Sequence, residues 1–368
     1  MEVAVVLGTR PEIIKMARVV HELQRRGLDF RLVHTGQHYD YEMSQVFFEE
    51  LNVPAPDEYL GVMSGSHGYQ TARIIERSEK VLGDMKPDMV LIEGDTNSAM
   101  GVALASAKIK IPVGHVEAGC RSFDPWMPEE INRKVIADCA QLHFAPTKTA
   151  YENLLREGVP EEAVFLTGHP LVDLLEWIRP KVRSSKVLEE LGLEEKEYAL
   201  LTVHREENVE NEARLRSIVA AISKVDLEVV FPAHPRTRKK LASYGLGNLL
   251  GSNVRLIEPQ PYSSTLRLIE GARVVFTDSG GIQQESYLLG VPCITLRERT
   301  EWVETVELGV NFLAGASEDG ILKAYERVLS RESDIKKKLA ASKKDIFGDG
   351  TAARKIVDLV LEYLEQRS

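Results

Sequence analysis

Three carboxylates stand where a parallel sheet would present them to a ligand: Asp95, Glu117 and Glu129. Asp95 follows the apolar run Met89–Glu93, Glu117 closes the run Pro112–Val116, and Glu129 comes directly after Pro128 at the opening of a helix. Acids just beyond successive strand ends share one sheet edge, which suits them to general acid/base proton transfer on a common ligand. Their crowding is expected to raise the pKa of at least one, because neighbouring negative charges disfavour ionisation. Two of them also have an ordinary role open to them. Asp95 can cap the helix beginning at Thr96-Asn97, and Glu129 can complement the positive end of its own helix.

Two turns have the chemistry of phosphate sites. Gly8-Thr9-Arg10-Pro11-Glu12 follows the first strand, with Lys15 one turn into the helix behind it. Free amides at a helix N-terminus, with Arg10 and Lys15 beside them, suit an anion, although a tight turn with a solvated arginine is the plain alternative. Ser279-Gly280-Gly281 follows the strand Val274–Thr277 and opens a helix containing Glu285. The glycines let a phosphate approach the amides, Ser279 can donate its hydroxyl, and Glu285 can accept from ribose hydroxyls. Together the turns predict a pyrophosphate clamp. His204 and His234 also follow strands and are candidates for orienting or stabilising charge there. The first turn lacks the later glycines of a dinucleotide fingerprint, and the nine histidines are scattered along the chain, so neither a dinucleotide cofactor nor a metal is expected.

The elements that must carry these residues alternate between short apolar strands and amphipathic helices, the pattern of parallel α/β sheets. Strands are predicted at 2–8, 29–35, 88–93, 112–117, 141–145 and 163–167, then at 198–203, 227–232, 254–257, 273–277 and 291–296. Pro11 opens a helix with the stripe Ile13, Ile14, Ala17, Val20 and Leu23, closed by Gly27. The chain is expected to be two Rossmann-like domains whose parallel sheets face a central cleft. Residues 1–178 form the N-terminal domain, the charged run 179–197 the connection, and 198–368 the C-terminal domain, with the last helix able to pack back on the first domain. Strand carboxyl ends are where such sheets bind ligands.

Bulk properties narrow the partners. The 368 residues carry 46 Lys and Arg against 56 Asp and Glu, a net charge of -10, which disfavours nucleic acid. No apolar run is long enough to span a bilayer and no leader is read at the N-terminus, so a membrane partner is not expected. Cys120, Cys139 and Cys293 lie far apart and are expected to be buried thiols in a reducing, cytoplasmic setting.

With those residues in view, the chain resembles the non-hydrolysing UDP-N-acetylglucosamine 2-epimerases. The segments that carry the resemblance are GTRPEIIKMA (8–17), GDTNS (94–98), VGHVEAGCRS (113–122), PEEINR (128–133), HREEN (204–208), TDSGGIQQES (277–286) and GDGTA (348–352). They run in family order over almost the whole chain. The resemblance implies a fold similar to the two-domain GT-B glycosyltransferases, a homodimer, and no NAD or metal. It implies reversible conversion of UDP-N-acetylglucosamine to UDP-N-acetylmannosamine, by elimination of UDP to a 2-acetamidoglucal and re-addition, for cell-surface polysaccharide precursors. It assigns acid/base roles to Asp95, Glu117 and Glu129, places His204 near the phosphates, and puts UDP on Arg10, Lys15, Gln260, Ser279, Gly280, Gly281 and Glu285. A regulatory pocket would involve Gln37, His38 and Arg205, with His67 where the family usually has glutamine. Thr265, Glu206 and the segment Thr300–Glu304 also depart from the family pattern. Rivals are an epimerase of a more elaborate UDP-amino sugar, a hydrolysing form, a glycosyltransferase, and a UDP-sugar sensor without catalysis.

Overall fold

Each alternating apolar run becomes a strand with its neighbours parallel, and the chain forms two sheets. The computed structural model describes residues 1–37, 41–342 and 345–367. Two compact units result: Met1–Ile178 with Lys344–Ser368, and Arg179–Lys343.

In the first unit, β1 (Glu2–Leu7), β2 (Asp29–His34), β3 (Glu58–Tyr59), β4 (Met89–Glu93), β5 (Val113–Val116), β6 (Leu142–Ala145) and β7 (Val164–Leu166) form one sheet in the order β3-β2-β1-β4-β5-β6-β7. In the second, β8 (Tyr198–Thr202), β9 (Glu228–Pro232), β10 (Val254–Ile257), β11 (Val274–Thr277), β12 (Cys293–Thr295) and β13 (Asn311–Leu313) run β10-β9-β8-β11-β12-β13. The central strands β4, β8 and β11 are buried along their whole length, which is why they read as unbroken apolar runs rather than as alternation. Two strands escape that reading. Glu58–Tyr59 is a two-residue exposed edge, and Asn311–Leu313 begins with a buried polar residue.

Helices cover the sheets by their apolar stripes. Ile13, Ile14, Ala17, Val20 and Leu23 of the helix Arg10–Arg26 are all buried, each large one contributing about 1.5–3 kcal/mol. Gly27 ends that helix at a φ of 65°, the left-handed conformation that glycine adopts at least cost. Gly114 in β5 has another reason to be glycine: a Cβ there would stand 2.6 Å from Leu91 Cδ2 on the adjacent strand.

The run 179–197, expected as a connection, is built into the second unit. Val187 and Leu188 of its helix Val187–Leu191 are buried, and that helix packs on Tyr262–Gly271. The tail helix Ala352–Glu365 belongs to the first unit and packs against Arg10–Arg26, with Arg26 paired to Asp358. Asp173 caps it, accepting from the Ala352 and Ala353 amides at 3.2 and 3.0 Å. Cys120 and Cys293 are buried as expected, whereas Cys139 is only half-buried because it closes the helix Pro128–Cys139 near the surface. Among the described residues no helix is long and apolar enough to cross a membrane.

Removing the Asp173 cap leaves two helix-end amides without their acceptor. Asp173→Ala should lower stability by about 1–2 kcal/mol in urea unfolding, the usual worth of such a cap. Limited proteolysis should show the tail helix cut first. An unchanged urea midpoint would contradict this account of how the tail is held.

Candidate active site

Both sheets reverse strand order beside their first strand, between β1 and β4 and between β8 and β11. Connections leaving such a pair run to opposite faces and open a crevice at the carboxyl ends, where α/β sheets bind ligands. The residues at those ends in the first unit are Gly8-Thr9-Arg10 and Gly94-Asp95-Thr96. In the second they are Val203-His204-Arg205 and Asp278-Ser279-Gly280. The candidate residues of each unit therefore gather on a topological feature as well as on sequence motifs.

The first crevice is built around buried charge. Lys15, expected on the phosphates, directs its ammonium to Glu93 Oε1 at 2.9 Å and Glu117 Oε2 at 2.5 Å. His169 Nε2 lies 2.6 Å from the same Glu117 oxygen. Burial opposes the charge of Glu117, but Lys15 and His169 outweigh it and hold the carboxyl well below the usual range. Burial pushes Glu93 well above that range, with Lys15 only partly offsetting it. Burial also opposes the Lys15 charge, and the two carboxylates reverse the balance and keep the ammonium protonated. The raised pKa belongs to Glu93, which lies outside the expected trio of Asp95, Glu117 and Glu129, and Glu117 moves opposite to the expectation.

Glu117 sits just past β5 at a φ of 65°, a conformation that costs a non-glycine residue about 1–2 kcal/mol. Gly119 follows at 84°, where a Cβ would meet the Ala150 carbonyl at 2.1 Å. The strained turn aims the Glu117 side chain back toward Lys15 and His169.

Asp95 belongs to a second ionic group. Arg133 Nε and Nη2 reach Asp95 Oδ2 at 2.9 and 2.5 Å, and Nη1 reaches Glu130 at 2.9 Å. Glu130 also accepts from the Ser122 amide and hydroxyl, which ties the loop after β5 to the helix Pro128–Cys139. Glu129, half-buried, stands in the first turn of that helix, four residues before Arg133 and so on the same face. Thr96, not Asp95, caps the helix Asn97–Lys108, accepting from the Ala99 amide at 3.1 Å. Asp95 is left to Arg133 and the crevice.

The second unit supplies a different surface. Ser279 caps the helix Gly280–Leu288 by accepting from the Ile282 amide, which leaves its O–H as a donor. A Cβ at Gly280 would lie 2.9 Å from Glu301 Oε1. At Gly281 the contact would be only Ser279 Oγ at 3.9 Å, and its φ is not left-handed, so neither packing nor backbone calls for glycine there. Glu285 is buried and accepts from the Tyr262 hydroxyl at 2.9 Å. Buried Asp278 accepts from the amides of His204 and Arg205 and from Asn208, fixing the loop that carries exposed His204. His234 caps the helix Pro235–Ser243 through Nδ1. Gln260 donates to the Glu258 carbonyl. Trp302, in the segment that departs from the family pattern, is buried and donates its indole N–H to the Gly280 carbonyl at 3.1 Å.

Arg10 is exposed at the start of its helix, with its guanidinium 5.5 Å from the Phe47 ring centre. Of the residues expected in a regulatory pocket, Gln37 accepts from the Ser98 amide and hydroxyl at 2.8 and 2.6 Å. His67 meets Asn97 at 3.1 Å. Arg205 approaches Glu301 at 4.0 Å, and His38 lies outside the described residues. No cluster of metal-binding type occurs among the described residues.

Sequence reading missed Glu93, Arg133, His169 and Asp278. Arg133 and Asp278 stood inside quoted motifs, four residues after Glu129 and one before Ser279. His169 met the criterion that selected His204 and His234, a histidine just past a strand. Glu93 gave no signal, because a strand-end acid between Ile92 and Gly94 reads as the edge of an apolar run.

A family model described as UDP-N-acetylglucosamine 2-epimerase matches residues 21–361. The chain is 42% identical to a UDP-N-acetylglucosamine 2-epimerase of Methanocaldococcus jannaschii, over 98% of this chain and 99% of that one. It is 37% identical to the UDP-2,3-diacetamido-2,3-dideoxy-D-glucuronate 2-epimerase of Pseudomonas aeruginosa, over 97% and 99%. The crystal structure of the Methanocaldococcus jannaschii UDP-GlcNAc 2-epimerase in complex with UDP-GlcNAc and UDP is similar at a TM-score of 0.89 and 41% identity, covering 98% of this chain and 100% of that one. That of the Neisseria meningitidis UDP-GlcNAc 2-epimerase bound to UDP-GlcNAc is similar at 0.89 and 34%, with the same coverage.

One titration should be visible in stability. Glu12 accepts from the Gly8 and Thr9 amides and the Thr96 hydroxyl, and burial, against those donors, pushes its pKa from 4.5 to about 7. The native state then holds the proton longer than the unfolded chain does. The associated stability is complete below pH 4.5 and is lost as pH rises toward 7, by up to about 3 kcal/mol. Glu12→Gln removes the titration, so its urea midpoint should fall less than that of the wild type across this window. Parallel curves would refute the assignment.

Proposed function

Because the chain belongs to the UDP-N-acetylglucosamine 2-epimerase family, we propose that it interconverts UDP-N-acetylglucosamine and UDP-N-acetylmannosamine by elimination and re-addition of UDP. A base takes the C2 proton as the C1–O bond to UDP breaks, giving the 2-acetamidoglucal and free UDP. Return of a proton to the opposite face of C2 and re-formation of the C1–O bond give the epimer. The observation that carries this reading is the pair of separately anchored carboxylates at the first unit's switch point, Asp95 on Arg133 and Glu117 on Lys15 and His169. One carboxylate does not readily serve both faces of a sugar ring, so at least two of Asp95, Glu117 and Glu129 take part. A UDP-binding module without chemistry has no need of such a set.

The nucleotide is assigned to the second unit. The amides at Gly280 and Gly281 and the Ser279 hydroxyl suit the diphosphate, Glu285 the ribose, and His204 the developing charge on departing UDP. Arg10, Gln260 and His234 complete the proposed substrate contacts. The unexplained glycine at 281 supports this, since a closely approaching phosphate supplies the reason that the fold does not. Gly281→Ala should keep or slightly raise stability, as alanine in a helix does, while raising KM about tenfold or more. An unchanged KM would place the phosphate elsewhere.

Proton NMR of the protein with UDP-N-acetylglucosamine in deuterated water, with chelator and no added nicotinamide cofactor, tests the reaction itself. UDP-N-acetylmannosamine should appear carrying deuterium at C2, without release of the free sugar. Asp95→Asn and Glu117→Gln should each lower kcat by roughly 10²- to 10⁴-fold with a much smaller change in substrate affinity. Product without C2 deuterium, or near-normal turnover in both variants, would defeat the mechanism. Preferential turnover of the diacetamido glucuronate substrate of the Pseudomonas relative would reassign the sugar and keep the chemistry.

A further inference from the structure

His169 has no role in the sequence-derived scheme, yet it is fully buried and touches the acid cluster. It lies on the turn between β7 and the helix Pro170–Arg183, where Nδ1 accepts from the Leu171 amide at 3.0 Å. An accepting Nδ1 carries a lone pair, so the proton of the neutral ring sits on Nε2 and points along the 2.6 Å contact to Glu117 Oε2. Burial lowers the His169 pKa against the pull of Glu117, in keeping with a neutral ring.

The turn itself is held by the GDGTA motif, which the catalytic scheme leaves unused. Phe347, just before that motif, accepts from the His169 amide at 2.8 Å and sets its ring edge-on to the imidazole at 5.9 Å and 85°. A Cβ on Gly348 would come within 3.1 Å of Gly168 Cα, and one on Gly168 within 2.9 Å of the Phe347 carbonyl. Two glycine backbones thus pack face to face directly beside His169, and Asp173 fastens the motif's last residue.

We propose that His169 is a positioning residue for Glu117: its Nε2–H, together with the Lys15 ammonium, holds the carboxylate in the single orientation that the reaction uses, and the Phe347–Gly348 turn holds His169. Glu117 leaves the sheet through a left-handed residue, so its side chain is pinned at the backbone end by the turn and at the carboxylate end by these two donors. A glutamate with three rotatable bonds otherwise samples several directions, and misplacement by about 1 Å can cost a hundredfold in rate. The proposal rests on the epimerase reading for the role of Glu117.

Two substitutions separate the cap from the contact. His169→Asn places an amide oxygen where Nδ1 accepts from Leu171 but is too short to reach Glu117. His169→Gln sets an amide N–H near the place of Nε2 and gives up the cap. His169→Asn should lose roughly tenfold to a hundredfold in kcat with KM within about twofold and little change in Tm. His169→Gln should recover most of kcat despite a lower Tm. Wild-type kcat in His169→Asn, or no recovery in His169→Gln, overturns the proposal. Nitrogen-15 NMR of labelled histidines in the wild-type protein reads the contact without turnover: the His169 signal, identified by its loss in His169→Gln, should be that of a neutral Nε2–H ring and should move in Glu117→Gln. An Nδ1–H tautomer or an unmoved signal overturns it equally. Should the wild type leave UDP-N-acetylglucosamine unchanged, the functional reading falls, and the tautomer still decides whether His169 holds Glu117.

Discussion

One ammonium shared between two buried carboxylates sets the character of this protein. Lys15 stands between Glu93 and Glu117, and burying such charges without mutual pairing would cost several kcal/mol each. With both acids ionised the cluster would carry a surplus negative charge in a poorly hydrated place. The opposite displacements of the two acids resolve this: Glu93 leans toward its protonated form, and Glu117 stays ionised against Lys15. The cluster can therefore offer one defined carboxylate where the turn after β5 opens, with its partner acid kept quiet inside the strand.

That arrangement depends on strand order. Lys15 rides on the helix after β1, Glu93 ends β4 and Glu117 follows β5, so only a sheet in the order β1-β4-β5 brings them together. The same order makes room for Asp95, which leaves β4 through Gly94 at a φ of 73° and meets Arg133 from the next helix. Asp95 and Glu117 are thus each fixed by a cation from a different element. Loss of one anchor does not by itself release the other acid.

The second unit repeats the topology and not the chemistry. Its switch point carries a capped helix N-terminus and glycines in place of an acid cluster, and its buried acid, Asp278, organises backbone amides of the histidine loop. The family departure at Trp302 is absorbed structurally, because the indole fills the space under Gly280 and donates to its carbonyl.

Most of the strands, the parallel class of both sheets, the helix Arg10–Arg26 with its cap at Gly27, and the family are legible along the chain. Those features are local: apolar runs, helical spacing and turn residues act over a few neighbours, and the motifs containing Asp95, Glu117, Ser279 and Gly281 are contiguous. The short edge strand Glu58–Tyr59 and the polar start of β13 were invisible because neither forms an apolar run. Who holds whom is settled by packing in three dimensions. The pairings of Lys15 with Glu93 and Glu117, of Arg133 with Asp95, and of His169 with Glu117 join residues 78, 102, 38 and 52 positions apart. Such contacts arise from strand order and from the left-handed turn at Glu117, and no periodicity along the chain encodes them. Lys15 is accordingly paired with the acids, and Glu117 lies below the normal carboxylate range, because burial and pairing act through space.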